Sequence, residues 1–471
     1  MNEQRTQAYL NLVNQLLSCN QGDEPRILQE NQELLDEGLV QVMVAVAQQL
    51  GNAGRENEAR WLMNMAQQLA QALGLLDNAT TENANTSQDY FNFLMETLQK
   101  VNENPNPQLL YPFWKQNLNK LNDNLILILD NWARETLTSV NSEQAYSIAA
   151  VIGNFSNLIQ QFPLSNIAAN KEIAITGHEI ALNIFTFDAF PQQWAMTQNN
   201  LANAYRNRIR GDKAENLERA IAAYTEALKV YTFDAFPQQW AMTQNNLANA
   251  YRNRIRGYKA ENLERAISAY QEALKVFTFD AFPQQWAATQ NNLANAYSNR
   301  IRGDKAENIK QAVMCYQNAL QGYETAGDFL NAAEMGLTLG KIKVDRGEWY
   351  QGLAYLEKSL KIYRQFDDLK SRADTIYQIA HTHHLIGNHE KASIYYRDAL
   401  RFYEYLKHDR GVAFCQASLG RLMLQIGFVE KAEELLKKAT FIFKELNNEQ
   451  EIAKIAEVLN CLAKIKEKQA V

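Results

Sequence analysis

Between residues 187 and 324 apolar and small residues recur at three- and four-residue intervals, and the whole pattern returns every 46 positions. Phe187-Asp188-Ala189-Phe190-Pro191-Gln192-Gln193-Trp194 comes back as Phe233 to Trp240 and as Phe279 to Trp286. A fixed period of this size marks an array of repeated units. In the first copy Trp194, Leu201, Ala202 and Tyr205 lie at helical spacing, and so do Ala220, Tyr224, Ala227 and Leu228. Pro191 suits the first turn of the first helix, where its missing N–H is no loss. Gly211 is expected to end that helix in a left-handed conformation. Asp212 and Glu215 form a capping pair for the second helix. No stretch alternates with period two, so the unit reads as a helical hairpin. One hairpin cannot bury its apolar stripe alone, so neighbours must stack.

The flanking sequence follows the same logic with weaker copies. A degenerate unit is expected over 141–186, because Ala174, Ala181 and Leu182 sit 46 residues before Ala220, Ala227 and Leu228. Beyond 324 the period shortens to 40, set by Leu339-Gly340, Ile379-Ala380 and Leu419-Gly420. These shorter units are expected over 325–448, with turns at Gly347, Gly387 and Gly427. Residues 449–471 read as a closing helix whose lysines and glutamates give a terminal unit its solvated face. At the other end 1–75 reads as a small helical module. One stripe is Ala8, Leu10, Leu12, Val13, Leu16 and Leu17; another is Leu39, Val42, Val44, Ala45 and Leu50. Residues 76–88, rich in Asn, Thr and Ser, are expected as a flexible linker. Segment 89–140 is expected to hold helices around Phe91–Val101 and Leu118–Leu137, broken by Asn-Pro-Asn-Pro at 104–107.

Leu201-Ala202 with Tyr205, followed by Ala220, Tyr224 and Ala227, resembles the signature of the tetratricopeptide repeat. The resemblance implies an all-α, right-handed solenoid whose first helices line a concave groove. The usual unit of about 34 residues is lengthened here in both helices. Asn-Asn-Leu-Ala is similar to the long-helix repeats of kinesin light chains. Phe-Pro-Gln-Gln-Trp-Ala with Asn-Arg-Ile-Arg-Gly, and the 1–75 module, resemble cyanobacterial repeat proteins that often carry a C-terminal caspase-like (CHAT) protease domain. The sequence after the repeats is too short for that domain, so no proteolytic activity is expected to carry over.

Composition narrows the function classes. A formal charge of −6 and a pI near 5.7 argue against a nucleic-acid protein with a dominant basic face. The four cysteines, Cys19, Cys315, Cys415 and Cys461, are far apart and are expected to be reduced. The start lacks the plan of a signal peptide, and apolar runs such as Leu125 to Leu129 are far short of a membrane span. A cytoplasmic protein is the expectation. No phosphate loop, nucleophile elbow, zinc-protease motif or Cys-x-x-Cys pair occurs, so neither catalysis nor a cofactor is expected. His381 and His384 lie on one helix face but lack completing ligands for a metal.

On the face that the resemblance assigns to the groove lie Asn199, Asn203, Arg206 and Asn207. The next copies supply Asn245, Asn249, Arg252 and Asn253, then Asn291, Asn295, Ser298 and Asn299. An asparagine amide both donates and accepts, so it can clasp a peptide N–H and C=O. The alternative is that the amides bond to one another between hairpins and stiffen the array. Arg208, Arg210, Arg254, Arg256, Arg300 and Arg302 crowd the hairpin turns, where glutamates such as Glu215 and Glu218 are the expected partners. Phe187, Phe190, Trp194 and Tyr231 read as packing at the junction between units. The function expected is a non-catalytic scaffold holding a protein or peptide partner. The alternatives are a ligand-gated regulator and an accessory subunit of a caspase-like protease.

Overall fold

The computed structural model describes residues 3–18, 27–28, 31, 34–52, 55–72 and 79–469. Every regular element among them is helical, and contacts divide the chain into two compact units, Met1–Ala223 and Tyr224–Val471.

In the first unit α1 (Glu3–Ser18), α2 (Glu37–Asn52) and α3 (Glu56–Ala72) form a small core. Tyr9, Leu12, Val13 and Leu16 meet Leu39, Met43, Ala47 and Leu62. On α2 the buried stripe runs through Met43 and Ala47, whereas Ala45 is exposed, because positions four apart share a face. Asp36 ties the module together. It accepts from the Tyr9 hydroxyl (2.7 Å) and pairs with Arg5 (2.6 Å), and it caps α2 by accepting from Leu39 N (3.1 Å). Cys19 lies outside the described residues.

The expected linker is largely helix. α4 runs from Ala79 to Glu103, so only the beginning of 76–88 precedes it. Its apolar half, with Phe93, Leu94, Leu98 and Val101, is buried. Once that half is nucleated, adding turns towards the N-terminus costs little, even through polar sequence. Asn106 then caps α5 (Pro107–Gln116), an element the Pro-rich stretch concealed. Pro112 sits inside α5, which packing of the fully buried Trp114 and Leu110 sustains. α6 (Asp123–Ser139) follows, starting later than Leu118 because 118–120 form a single 3₁₀ turn. α7 (Ser142–Ile159), opened by a capping box between Asn141 and Gln144, and α8 (Ile167–Leu182) are the degenerate hairpin. α9 (Pro191–Arg206) and α10 (Lys213–Ala227) carry the first clean copy.

The second unit is a succession of hairpins: α11 (Pro237–Asn253) with α12 (Lys259–Ala273), and α13 (Pro283–Ser298) with α14 (Lys305–Thr325). The shorter hairpins are α15 (Phe329–Asp345) with α16 (Trp349–Gln365), α17 (Leu369–Ile386) with α18 (His389–Tyr405), and α19 (Asp409–Gln425) with α20 (Val429–Glu445). α21 (Glu449–Gln469) closes the unit with Ile455 and Leu462 buried.

Small residues stand where paired helices touch. Ala248, Ala266, Ala273, Ala294, Ala312 and Ala319 are at most 1 % exposed. Tyr270, Tyr316 and Tyr396 fill the wedges between them. At the junction before α11, Phe233 meets Trp240 edge to face at 5.2 Å and Tyr231 meets Phe236 at 5.7 Å. Phe279 and Trp286 repeat the first contact at 5.1 Å. These rings pack on one another, as expected.

The long hairpins do not turn at their glycine. α9 stops at Arg206, five residues before Gly211, and Gly211, Gly257 and Gly303 take positive φ inside the loop. The loop is held by side chains instead. Asn216, Asn262 and Asn308 are buried, and their amides donate to the carbonyls of Arg210, Arg256 and Arg302 at 2.8–2.9 Å. Asp212 and Asp304 cap the second helices by accepting from Glu215 N (2.7 Å) and Glu307 N (2.9 Å). Tyr258 stands at the corresponding position of α12, 82 % exposed and without a capping bond. Tyr258→Asp is expected to stabilise the protein by about 1 kcal/mol, read as a higher urea midpoint at unchanged slope.

Candidate functional site

The first helix of each clean hairpin carries one polar stripe, and the structure sorts its members. In the first unit Asn199 is only 3 % exposed. Asn203 and Arg206 are half-buried, and Asn207 is exposed, its amide donating to Asn203 O at 2.9 Å. Solvent therefore reaches Asn203, Arg206 and Asn207 but hardly Asn199.

In the second unit Asn245, Asn249, Arg252, Asn291 and Asn295 are half-buried, and Asn253 and Asn299 are exposed. The second helix aims the stripe. The ring of Tyr270 is fully buried, and its hydroxyl donates to Asn249 Oδ1 at 2.8 Å. Tyr316 repeats this on Asn295 Oδ1 at 2.9 Å. Each tyrosine spends one acceptor of the amide and fixes its orientation. Asn249 Nδ2 has no hydrogen bond among the described residues, whereas Asn295 Nδ2 donates to Asn291 O (3.0 Å) and Oδ1 (3.2 Å). A side-chain hydrogen bond joins neighbouring hairpins, from Asn292 Nδ2 to Asn245 Oδ1 at 3.3 Å. Asn245 and Asn292 thus brace the array, while the amide donors of Asn249 are unpaired among the described residues.

Two features of the stripe escape a reading of the clean copies. Its aiming residues, Tyr270 and Tyr316, look like ordinary wedges in sequence; their recurrence 21 residues after Asn249 and Asn295 is the signal. The stripe also continues into the shorter hairpins. The residue after each Leu-Gly or Ile-Ala pair is Lys341, His381 or Arg421, all half-buried. Tyr396 Oη lies 3.4 Å from His381 Nδ1, which repeats the tyrosine-to-stripe contact. Burial, then the neighbouring His384 and Arg421, pushes the His381 imidazole below its ordinary value.

Arg208 and Arg300 at the turns pair with glutamates far from them in sequence. Arg208 reaches back 36 residues to Glu172 (2.7 Å) and Arg300 likewise to Glu264 (2.8 Å), each joining one hairpin to the previous one. Arg300 holds the Glu264 carboxyl below its usual range. The same guanidiniums lie 3.3–3.4 Å from the buried Asn216 and Asn308 oxygens. Arg210 pairs with Asp123 at 2.7 Å, and Glu215 takes Arg219 at 3.5 Å. The reach is set by stacking, which places a turn beside the second helix of the hairpin before it.

Of the histidines, His383 stacks on Tyr395 at 5.6 Å and His384 Nε2 lies 2.6 Å from Gln425 Oε1. No group of three His, Cys, Asp or Glu side chains among the described residues converges as a metal site. Cys315 and Cys415 are buried free thiols, and burial pushes Cys315 up to about 11, away from the reactive thiolate. No helix among the described residues is long and apolar enough to cross a membrane.

One tetratricopeptide-repeat family model matches residues 194–231, 240–280 and 286–325, and a second such model matches 330–405. These segments are tetratricopeptide repeats. No curated protein matches the chain. Among solved structures it is similar to BtubC from P. vanneervenii, with 20 % identity over 49 % of this chain and 92 % of that one, at a TM-score of 0.40. It is similar to the signal-transduction ATPase PH0952, with a tetratricopeptide repeat sensor, from Pyrococcus horikoshii (13 % identity, 89 % and 69 % covered, TM-score 0.45). A Rap protein complexed with Competence and Sporulation Factor matches at 12 % identity, 73 % and 99 % covered, TM-score 0.36.

Proposed function

We propose that the protein is a non-catalytic interaction scaffold whose tetratricopeptide repeats hold an extended peptide segment of a partner on the asparagine stripe. The observation that carries this reading is Asn249. Its oxygen is committed to Tyr270 and its amide donors have no partner among the described residues, beside the half-buried Arg252 and the exposed Asn253. An amide oriented by the fold and left with free donors suits a peptide carbonyl, because the cost of ordering that side chain is already met. Arg252 adds a fork for a carboxylate. In this reading 141–448 is the binding array, 1–75 a separate helical module and 449–471 the cap. The partner is a protein or peptide, and the setting is cytoplasmic.

The test uses peptides selected from a random displayed library by the full chain. Asn249→Asp keeps an acceptor for the Tyr270 hydroxyl but removes the N–H donors. Combined with Asn253→Ala and Asn299→Ala, it is expected to weaken the selected peptides by about ten-fold or more, roughly 1.4 kcal/mol. Unchanged affinity at unchanged helicity would refute the reading. Failure to select any peptide, with saturable binding of a small molecule instead, would favour the ligand-gated regulator.

A further inference from the structure

A cleft lies in the second unit, away from the asparagine stripe. The first turn of α17 and the last turns of α18 enclose a cleft of about 590 Å³, lined by Leu369, Arg372, Asp398, Arg401, Phe402 and Tyr405. That volume falls in the range of sites for small molecules. Arg372 is nine residues before His381, about two and a half turns, so it projects from the opposite face of α17 to the stripe.

The chemistry of the cleft is specific. The Arg372 guanidinium lies 4.5 Å from the centre of the Phe402 ring, and its Nε is buried without an acceptor. It forms no ion pair among the described residues, although Asp398 lines the same cleft. Asp398 is taken instead by Arg401, at 3.5 Å along α18. The lining thus carries one cation beyond its internal pair. Tyr405 stands at the rim with 76 % of its surface exposed, and Leu369 adds an apolar wall. An exposed phenol ring, an apolar wall and a flat, pre-stacked guanidinium favour a planar monoanion attached to a ring. A dianion would meet Asp398, and a bare hydrated anion gains nothing from the apolar wall.

We propose that this cleft binds an aromatic carboxylate, the carboxylate on Arg372 and the ring between Tyr405 and Leu369. Such a group is found on free aromatic acids and on the C-terminal residue of a peptide, and the experiment distinguishes the two. The full chain is titrated by calorimetry with phenylacetate, N-acetyl-phenylalanine, the uncharged phenylacetamide and inorganic phosphate. Saturable binding of the acids is expected, with the amide weaker by about ten-fold or more and phosphate without effect. N-acetyl-phenylalanine binding more tightly than phenylacetate points to a peptide terminus, and the reverse order to a free acid. Arg372→Met is expected to remove at least about ten-fold of the acid affinity, and Tyr405→Ala, a surface change, to lower it several-fold. Neither variant should alter peptide selection on the stripe, which separates this site from that one. Equal binding of acid and amide, phosphate binding as tightly as the acids, or absence of saturation would each overturn the assignment.

Discussion

Tyr270→Ala is expected to cost about 3–5 kcal/mol, the usual range for emptying a large ring site in a core. The Tyr270 ring is fully buried in the wedge between α12 and its neighbours, among Ala248, Ala266 and Ile267. Those neighbours are mostly alanines on helices held by many other contacts, so the walls cannot collapse into the space. Tyr270→Phe keeps the ring and loses the hydroxyl with its bond to Asn249, whose half-buried oxygen can turn to water. Its expected cost is about 1 kcal/mol or less. Long repeat arrays need not unfold as one cooperative block, so the sensitive measurement is amide exchange resolved along the chain. Tyr270→Ala should accelerate exchange in α11 and α12 far more than in α19 and α20. Uniform acceleration, or a cost of the same size for Tyr270→Phe, would contradict this account. If Tyr270 also aims the stripe, Tyr270→Phe should weaken selected peptides more than it lowers stability.

Gly352→Val is expected to cost about 3 kcal/mol through crowding. A β-carbon on Gly352 would lie 2.6 Å from Val344 Cγ2 and 2.9 Å from the carbonyl oxygen of Gly340. A side chain can rotate away from the first contact, but the second is backbone. Gly340 is equally tight, its β-carbon falling 2.8 Å from Leu356. Here α15 and α16 cross so closely that neither accepts the alanine of the long repeats. Gly347, by contrast, has nothing within 4 Å of its β-carbon, but its φ of +79° suits glycine. Gly347→Ala should therefore act through backbone strain alone, at about 1 kcal/mol. Urea midpoints for the two variants check the ranking; a smaller loss for Gly352→Val than for Gly347→Ala would reverse it.

Much of this architecture is legible in the chain because the repeats report it several times over. Ala202, Ala248 and Ala294 recur where two helices must approach, and Tyr224, Tyr270 and Tyr316 where a wedge must fill space. The elements that the pattern does not reveal lack that redundancy. α5 carries an internal proline and stands only because Trp114 is engulfed, and the N-terminal half of α4 is a polar continuation of a buried helix. Gly211 marks a positive φ correctly but not the helix end. That end is decided by Asn216 drawing the loop carbonyl inward and by Arg208 bonding to Glu172.

The sequence by itself determined the period, the hairpin, the small and large positions of each unit and the asparagine stripe, since all of these are properties of one helix face or one turn. Only the tertiary structure decided which amides are spent and which are free. Asn199 is buried, Asn245 is braced by Asn292, and Asn249 is oriented by a tyrosine 21 residues away. It likewise paired Arg300 with Glu264 and left Arg372 lying on Phe402 without a counter-ion among the described residues. The physical reason is the same throughout. Helical periodicity fixes the direction of a side chain from its own sequence neighbours, whereas its hydrogen-bond and charge partners come from the helices stacked against it.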